Sequence, residues 1–184
     1  MKKYLIALLL LPALARAEFT QPQKDNLKAA IQAESSITSC YINGDHGCIA
    51  TWLNSDSTFI VWRTAVSQAD YQTKVSSEGT TFNWSGTGGF IARSQGERDA
   101  WRTMFATGSV NPSLTNVIAA FNDIFSGTGA GAVANRAHLA ATSKRNATFA
   151  EKTLSTGTGT SASPGVLTFE GLINVNDIPG ILGN

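Results

Sequence analysis

Residues 111–127, NPSLTNVIAAFNDIFSG, decide the fold. Leu114, Val117, Ile118, Phe121, Ile124 and Phe125 recur at steps of three and four, which puts them on one face of an α-helix. Pro112 stands at the start and Gly127 just past the last apolar residue, so both ends carry helix punctuation. Upstream, Ser94 with Glu97 forms a capping box ahead of Trp101, Met104 and Phe105, and Gly108 ends that helix. Downstream, Gly127-Thr128-Gly129-Ala130-Gly131-Ala132 lacks the lysine and the preceding strand of a phosphate loop. It reads as an interhelical connection whose small residues let the next helix, through Val133, Ala137, Leu139 and Ala140 to Lys144, pack closely.

Similar signals recur along the chain. Thr20 and Gln23 open a first helix carrying Leu27, Ala30 and Ile31, and Ile49, Trp52 and Leu53 keep helical spacing for about two turns. Ser67 with Asp70 starts a short helix to Val75, and Thr148 with Glu151 opens another or renews the preceding one. Strand character is confined to residues 58–62, which are β-branched and aromatic, and to residues 166–175. The latter read as two short strands, or one kinked strand around Glu170-Gly171. The expectation is a mainly α fold of the α+β class, a single compact helical domain with few short strands.

Residues 1–17 have the tripartite pattern of a Sec-type signal. Lys2 and Lys3 precede an apolar run at 4–14, and Ala15-Arg16-Ala17 supplies the small residues of a cleavage site between Ala17 and Glu18. About 11 apolar residues fall short of the roughly 20 that span a bilayer, so no stable membrane span is expected after cleavage. Residues 18–184 form the expected domain. Losing Lys2, Lys3 and Arg16 leaves 11 basic residues against 13 acidic ones, a net charge of −2. That balance argues against a nucleic-acid partner, which calls for a basic face. The expected destination is the periplasm.

Cys40 and Cys48 flank an Asn43-Gly44-Asp45 turn, and in an exported protein a disulfide closing a 40–48 loop is the expected reading. Free thiols, or a metal held with His46, are the alternatives; the spacing matches no usual zinc pattern. No cofactor is expected. Gly-x-Ser-x-Gly and His-Glu-x-x-His are absent, and the histidines are His46 and His138, the latter in an Ala-rich helix. Glu97 and Glu151 are accounted for as cap partners. Glu170 differs, because it interrupts an apolar run, where a carboxylate is costly unless paired. A buried ion pair with Arg63 is the first expectation and with Arg145 the second, Arg136 also being available. No catalytic residue is assigned and no enzyme is expected.

The stretches at 59–64 (FIVWRT), 144–152 (KRNATFAEK), 156–160 (TGTGT) and 169–171 (FEG), in this order, resemble a family of small proteins encoded by tailed bacteriophages and prophages. The similarity covers about residues 20–178 and includes the opening helix. It implies a phage origin and a non-catalytic role in the virion or in head–tail or tail assembly. The implied partners are other phage structural proteins or further copies of itself. The export signal and the cysteine pair depart from that family. They set up a second expectation, an exported binding module of phage origin that modifies the host envelope or excludes superinfecting phage.

Overall fold

The structure, a computed structural model, describes residues 19–183; the expected signal peptide and the Ala17–Glu18 junction lie outside the described residues. Helices α1 (Gln21–Ala33), α2 (Thr38–Ile42) and α3 (His46–Leu53) lead into strand β1 (Asp56–Trp62). A short strand β2 (Val66–Ser67) precedes α4 (Gln68–Thr73), α5 (Gln95–Met104), strand β3 (Ser109–Val110), α6 (Thr115–Ile124) and α7 (Ala130–Thr142). Strand β4 (Lys144–Thr148) then returns the chain to α8 (Phe149–Leu154) and α9 (Ile178–Leu182). The mainly α, α+β class expected from sequence is the class observed.

This order builds two apolar clusters, one from the two ends of the chain and one from its middle. Leu27, Ile31, Ile49 and Leu53 from the first helices pack with Leu154, Ile178 and Ile181 from the last ones. Tyr71, Trp101, Phe121, Phe125 and Leu139 form the other cluster, from the middle of the chain. There Tyr71 meets Trp101, Phe105 and Phe121 edge-on, with ring centroids 6.1, 5.8 and 5.2 Å apart. Each such pair adds about 0.5–1.5 kcal/mol beyond its buried area. The ribbon is β1 paired antiparallel with β4, and it carries the chain from one cluster to the other and back.

Local chemistry explains most helix starts. The hydroxyls of Ser67, Ser94 and Thr148 accept from the backbone N–H groups of Asp70, Glu97 and Glu151, whose carboxylates reach back. The carbonyls at the end of α6 are met by two arginines. Arg93 donates to the Ile124 and Ser126 oxygens (3.3 and 3.0 Å), and Arg136 to Phe125 and Gly127. Cations at a helix C-terminus satisfy orphan acceptors and complement the dipole. The glycine connection before α7 packs as tightly as its composition suggests: Gly131 N–H donates to the Thr87 oxygen at 2.9 Å. A Cβ on Gly131 would lie 2.6 Å from the Gly89 nitrogen.

Two segments differ from expectation. Residues 144–148 are strand β4, with Val61 opposite Arg145 and Trp62 opposite Lys144. Nothing in Lys-Arg-Asn-Ala-Thr alternates between apolar and polar. The edge of β1 imposes the extended form, a tertiary override of weak local preference. Residues 166–175 form no strand. Val166 exchanges backbone hydrogen bonds with Thr156 (2.9 and 3.0 Å), and Asn54 brackets Ile173, its side chain bonding both N–H and C=O at 2.8 Å. Between those anchors no strand among the described residues pairs with the segment. The far edge of β1 is taken instead by the Gly/Thr/Ser loop: Ile60 N–H donates to Gly159 (2.8 Å) and Trp62 N–H to Gly165 (3.0 Å). A Cβ at Gly159 or Gly165 would collide with the Phe59 ring, so glycine is what lets the loop lie against the strand.

Candidate functional site

The charged centre of the molecule sits where β4, α8 and the C-terminal segment meet. Pairing opposite buried Val61 turns Arg145 toward the interior face of the ribbon. Its Nη1 lies 2.6 Å from Glu151 Oε2 and its Nη2 2.8 Å from Glu151 Oε1, a fork-to-fork contact. Glu151 is buried; it also accepts from the Thr148 N–H (3.0 Å) and the Gly171 N–H (3.4 Å). Burial pushes the Glu151 carboxyl up, but the Arg145 hydrogen bonds, the Thr148 N–H and the Arg145 charge outweigh it and hold the group below its ordinary value. Arg145 is raised in turn, chiefly by its bonds to Glu151.

Glu170 joins this centre from outside. Its Oε1 is 3.0 Å from Arg145 Nη2, its other oxygen accepts from the Thr64 hydroxyl, and its side chain is 42% exposed. The expectation of a buried Glu170 paired first with Arg63 is therefore corrected. Arg63 follows the end of β1 and turns toward α4, lying 3.8 Å from Asp70 and donating to the Thr142 carbonyl at 3.4 Å. The buried carboxylate is Glu151, whose role as a cap partner does not account for all it does.

The cysteines, His138 and Ser143 are held in structural contacts. Cys40 and Cys48 are joined in a disulfide, with Cα atoms 5.9 Å apart, and Asp45 caps α3 through the Cys48 N–H (3.0 Å). His138 is fully buried. Its Nε2–H donates to the Tyr71 carbonyl (2.7 Å) and its Nδ1 accepts from the Thr80 hydroxyl (3.2 Å). The Tyr71 hydroxyl donates to Ser143 Oγ (2.8 Å), which in turn donates to the Leu139 carbonyl (2.7 Å). Burial pushes the Tyr71 phenol far up. Ser143 thus has its proton committed to a helix carbonyl, and among the described residues no imidazole or carboxylate bonds its hydroxyl, unlike an activated nucleophile. Among the described residues no group of three or more His, Cys, Asp or Glu side chains could hold a metal ion.

What the surface offers is shape. A hollow of about 430 Å³ opens beside the ribbon, lined by Asp56, Ile60, Glu78, Lys144, Asn146 and Ser161 among others. Its charges are mixed: Lys144 Nζ bonds the Ser161 carbonyl (3.0 Å), and the Ser161 hydroxyl bonds Glu78 (3.1 Å). A second hollow, of about 560 Å³, runs between residues 79–85 and Ala134 and Ala137 of α7, with Trp84 on its wall. Ile91, Trp84 and Val133 stay exposed, and so do Leu172 and Val166. Sequence reasoning missed this apolar exposure, because each residue belongs to a segment that also supplies core anchors. Among the described residues no helix is long and apolar enough to cross a membrane.

Comparison of the chain with family models, with curated proteins and with solved structures finds no match.

Proposed function

We propose that the protein is a non-catalytic structural component of a phage or prophage particle, or of its head–tail or tail assembly, acting through protein–protein contacts. One observation carries this reading: large apolar side chains stand in solvent while the buried hydroxyl, imidazole and carboxylate groups are bound into the fold. Leu172 is 75% exposed and Ile91 67%. Exposed apolar side chains offer area that a partner could cover, and the buried polar groups named are paired within the fold. The resemblance of residues 59–64, 144–152, 156–160 and 169–171 to small phage proteins supports the same assignment.

A second reading is favoured by the Cys40–Cys48 disulfide. Such bonds persist in oxidising compartments, so an exported phage-derived module acting on the host envelope is the competing proposal. Density-gradient fractionation of producing cells separates the two. Cosedimentation with particles supports the structural component; release with the periplasmic fraction, and none with particles, supports the exported module. Neighbouring portal, capsid and tail genes would favour the first, and lysis or exclusion genes the second.

A further inference from the structure

The stretch from Thr38 to Cys48 contains no buried residue, although it lies between two that are, Ile37 at 5% and Ile49 at 0% exposure. Its composition is the cause: it is mostly small and polar, and its one aliphatic side chain beyond the cysteines, Ile42, stands 73% exposed. Helix α2 is five residues long, too short to be stable by propensity. Its backbone bonds are local. The N–H groups of Asn43, Gly44 and Asp45 donate to the Ser39, Tyr41 and Cys40 carbonyls at 3.0, 3.3 and 2.8 Å. Toward the rest of the domain, half-buried Cys40, Tyr41 and Cys48 lean on the first apolar cluster, and Gln32 Nε2 donates to the Tyr41 hydroxyl at 2.8 Å. The covalent tie is the Cys40–Cys48 bond, which returns this arm to α3. Few buried contacts and exposed backbone hydrogen bonds put a segment at the low end of local stability.

We propose that the Cys40–Cys48 bond is a redox latch: it holds residues 38–45 against the domain, and its reduction opens that arm while α1 and α3 stay folded. The inference goes beyond the proposed function and holds for either reading of it. The bridge acts on the open form, because a closed nine-residue loop restricts an arm that has left the surface. Breaking it raises the ratio of open to closed by up to about sixtyfold. The flanking helices are not released with the arm, since Leu27 and Ile31 of α1 and Ile49 and Leu53 of α3 are buried in the first cluster. The reductant is a dithiol. One of its thiolates attacks a cysteine sulfur, the bridge breaks and a mixed disulfide forms; its second thiol then displaces that sulfur. The protein gains two electrons and two protons as a pair of thiols, and the reductant leaves as its own disulfide. Neither cysteine is enclosed, both being half-buried. The latch is closed in an oxidising compartment and open in a reducing one, so the arm differs between an exported chain and one retained in the cytoplasm.

NMR of the full chain before and after dithiothreitol tests this. On reduction the amides of Asn43, Gly44 and Asp45 are expected to exchange with solvent about tenfold or more faster, while α1 and α3 keep their helical Cα shifts. Reoxidation is expected to restore the slow exchange. Chymotrypsin cleavage after Tyr41 should accelerate in parallel. The double variant Cys40→Ser/Cys48→Ser, with no reductant, is expected to match the reduced chain, these being the two cysteines of the protein. Unchanged exchange at residues 43–45 on reduction overturns the proposal, because packing alone would then hold the arm. So does loss of the helical shifts of α1 or α3 together with the arm, which would make the bridge a support of the whole domain. An oxidised Tyr41→Phe chain as open as the reduced wild type also overturns it, by making the bond from Gln32 the latch.

Discussion

Arg145 grips Glu151 with both guanidinium nitrogens, at 2.6 and 2.8 Å, across six residues that include the turn from β4 into α8. The same guanidinium holds Glu170 at 3.0 Å and so ties the C-terminal segment to the ribbon. The two carboxylates differ in solvent: the Glu151 side chain is 4% exposed and that of Glu170 42%.

That difference sets the first prediction. Glu151→Gln leaves a partly buried guanidinium short of its main counter-charge and is expected to destabilise the fold by about 3 kcal/mol, the low end for a broken buried pair. Glu170→Gln is expected to cost under about 1 kcal/mol, since an exposed pair is weak. Urea unfolding of both variants decides the matter. Equal losses would mean that the contact seen by solvent matters as much as the buried one.

Acid should loosen the fold through groups whose carboxyls are held down. Asp70 titrates at about 2 rather than 3.8, mainly because of its hydrogen bond from Lys74, with Ser67 contributing against the effect of burial. Glu151 is also lowered from its ordinary 4.5. A depressed folded pKa gives stability that is complete above the unfolded value and lost as pH falls through the folded one. The melting temperature is therefore expected to fall between about pH 4.5 and 2. Asp70→Asn should be less stable at neutral pH and show a shallower fall in that window. A variant curve parallel to wild type would remove Asp70 from the account.

The glycine seam gives a prediction in which sterics and helix propensity oppose each other. Alanine at Gly131 in α7 gains up to about 1 kcal/mol of propensity, but its methyl would meet the Gly89 backbone, which cannot yield as a side-chain tip does. Gly131→Ala is expected to lose about 1–3 kcal/mol net, as overpacking does. Gly96→Ala in α5, where a Cβ meets open space, is expected to be neutral or mildly stabilising. Thermal melts of both variants read the contrast, and a Gly131→Ala protein as stable as wild type would refute the close packing.

Reduction of the Cys40–Cys48 bridge is expected to lower stability by about 2.5 kcal/mol, from the entropy of a nine-residue loop. Helical circular dichroism below the lowered melting temperature should persist, because Ile49 and Leu53 keep α3 packed on α1 without the bridge. Loss of that signal on reduction at 25 °C would show that the disulfide sustains the helices themselves.

The helices were legible where their caps were. Ser94 with Glu97 and Thr148 with Glu151 announce α5 and α8, and the β-branched run from Thr58 to Trp62 announces β1. Strand β4 was not legible, since its pattern is polar and its strand form depends on an edge that lies more than 80 residues upstream. The site was half legible. Glu170 drew notice because its neighbours are apolar, but Phe169 is only half-buried and the chain bends at exposed Gly171 (φ +141°), so the carboxylate stays near the surface. Glu151 was hidden by its cap, which satisfies one side of the carboxylate and gives no hint of Arg145 on the other. The clearest signal available was the pairing of Arg145 opposite Val61, and that requires the strand first.

Quantitative mass spectrometry of gradient-purified particles tests the central claim most directly. The structural reading predicts this protein at a fixed ratio to the major capsid protein, unchanged by further purification. Particles that lack it, from cells whose periplasm contains it, would contradict that reading and leave the exported module in its place.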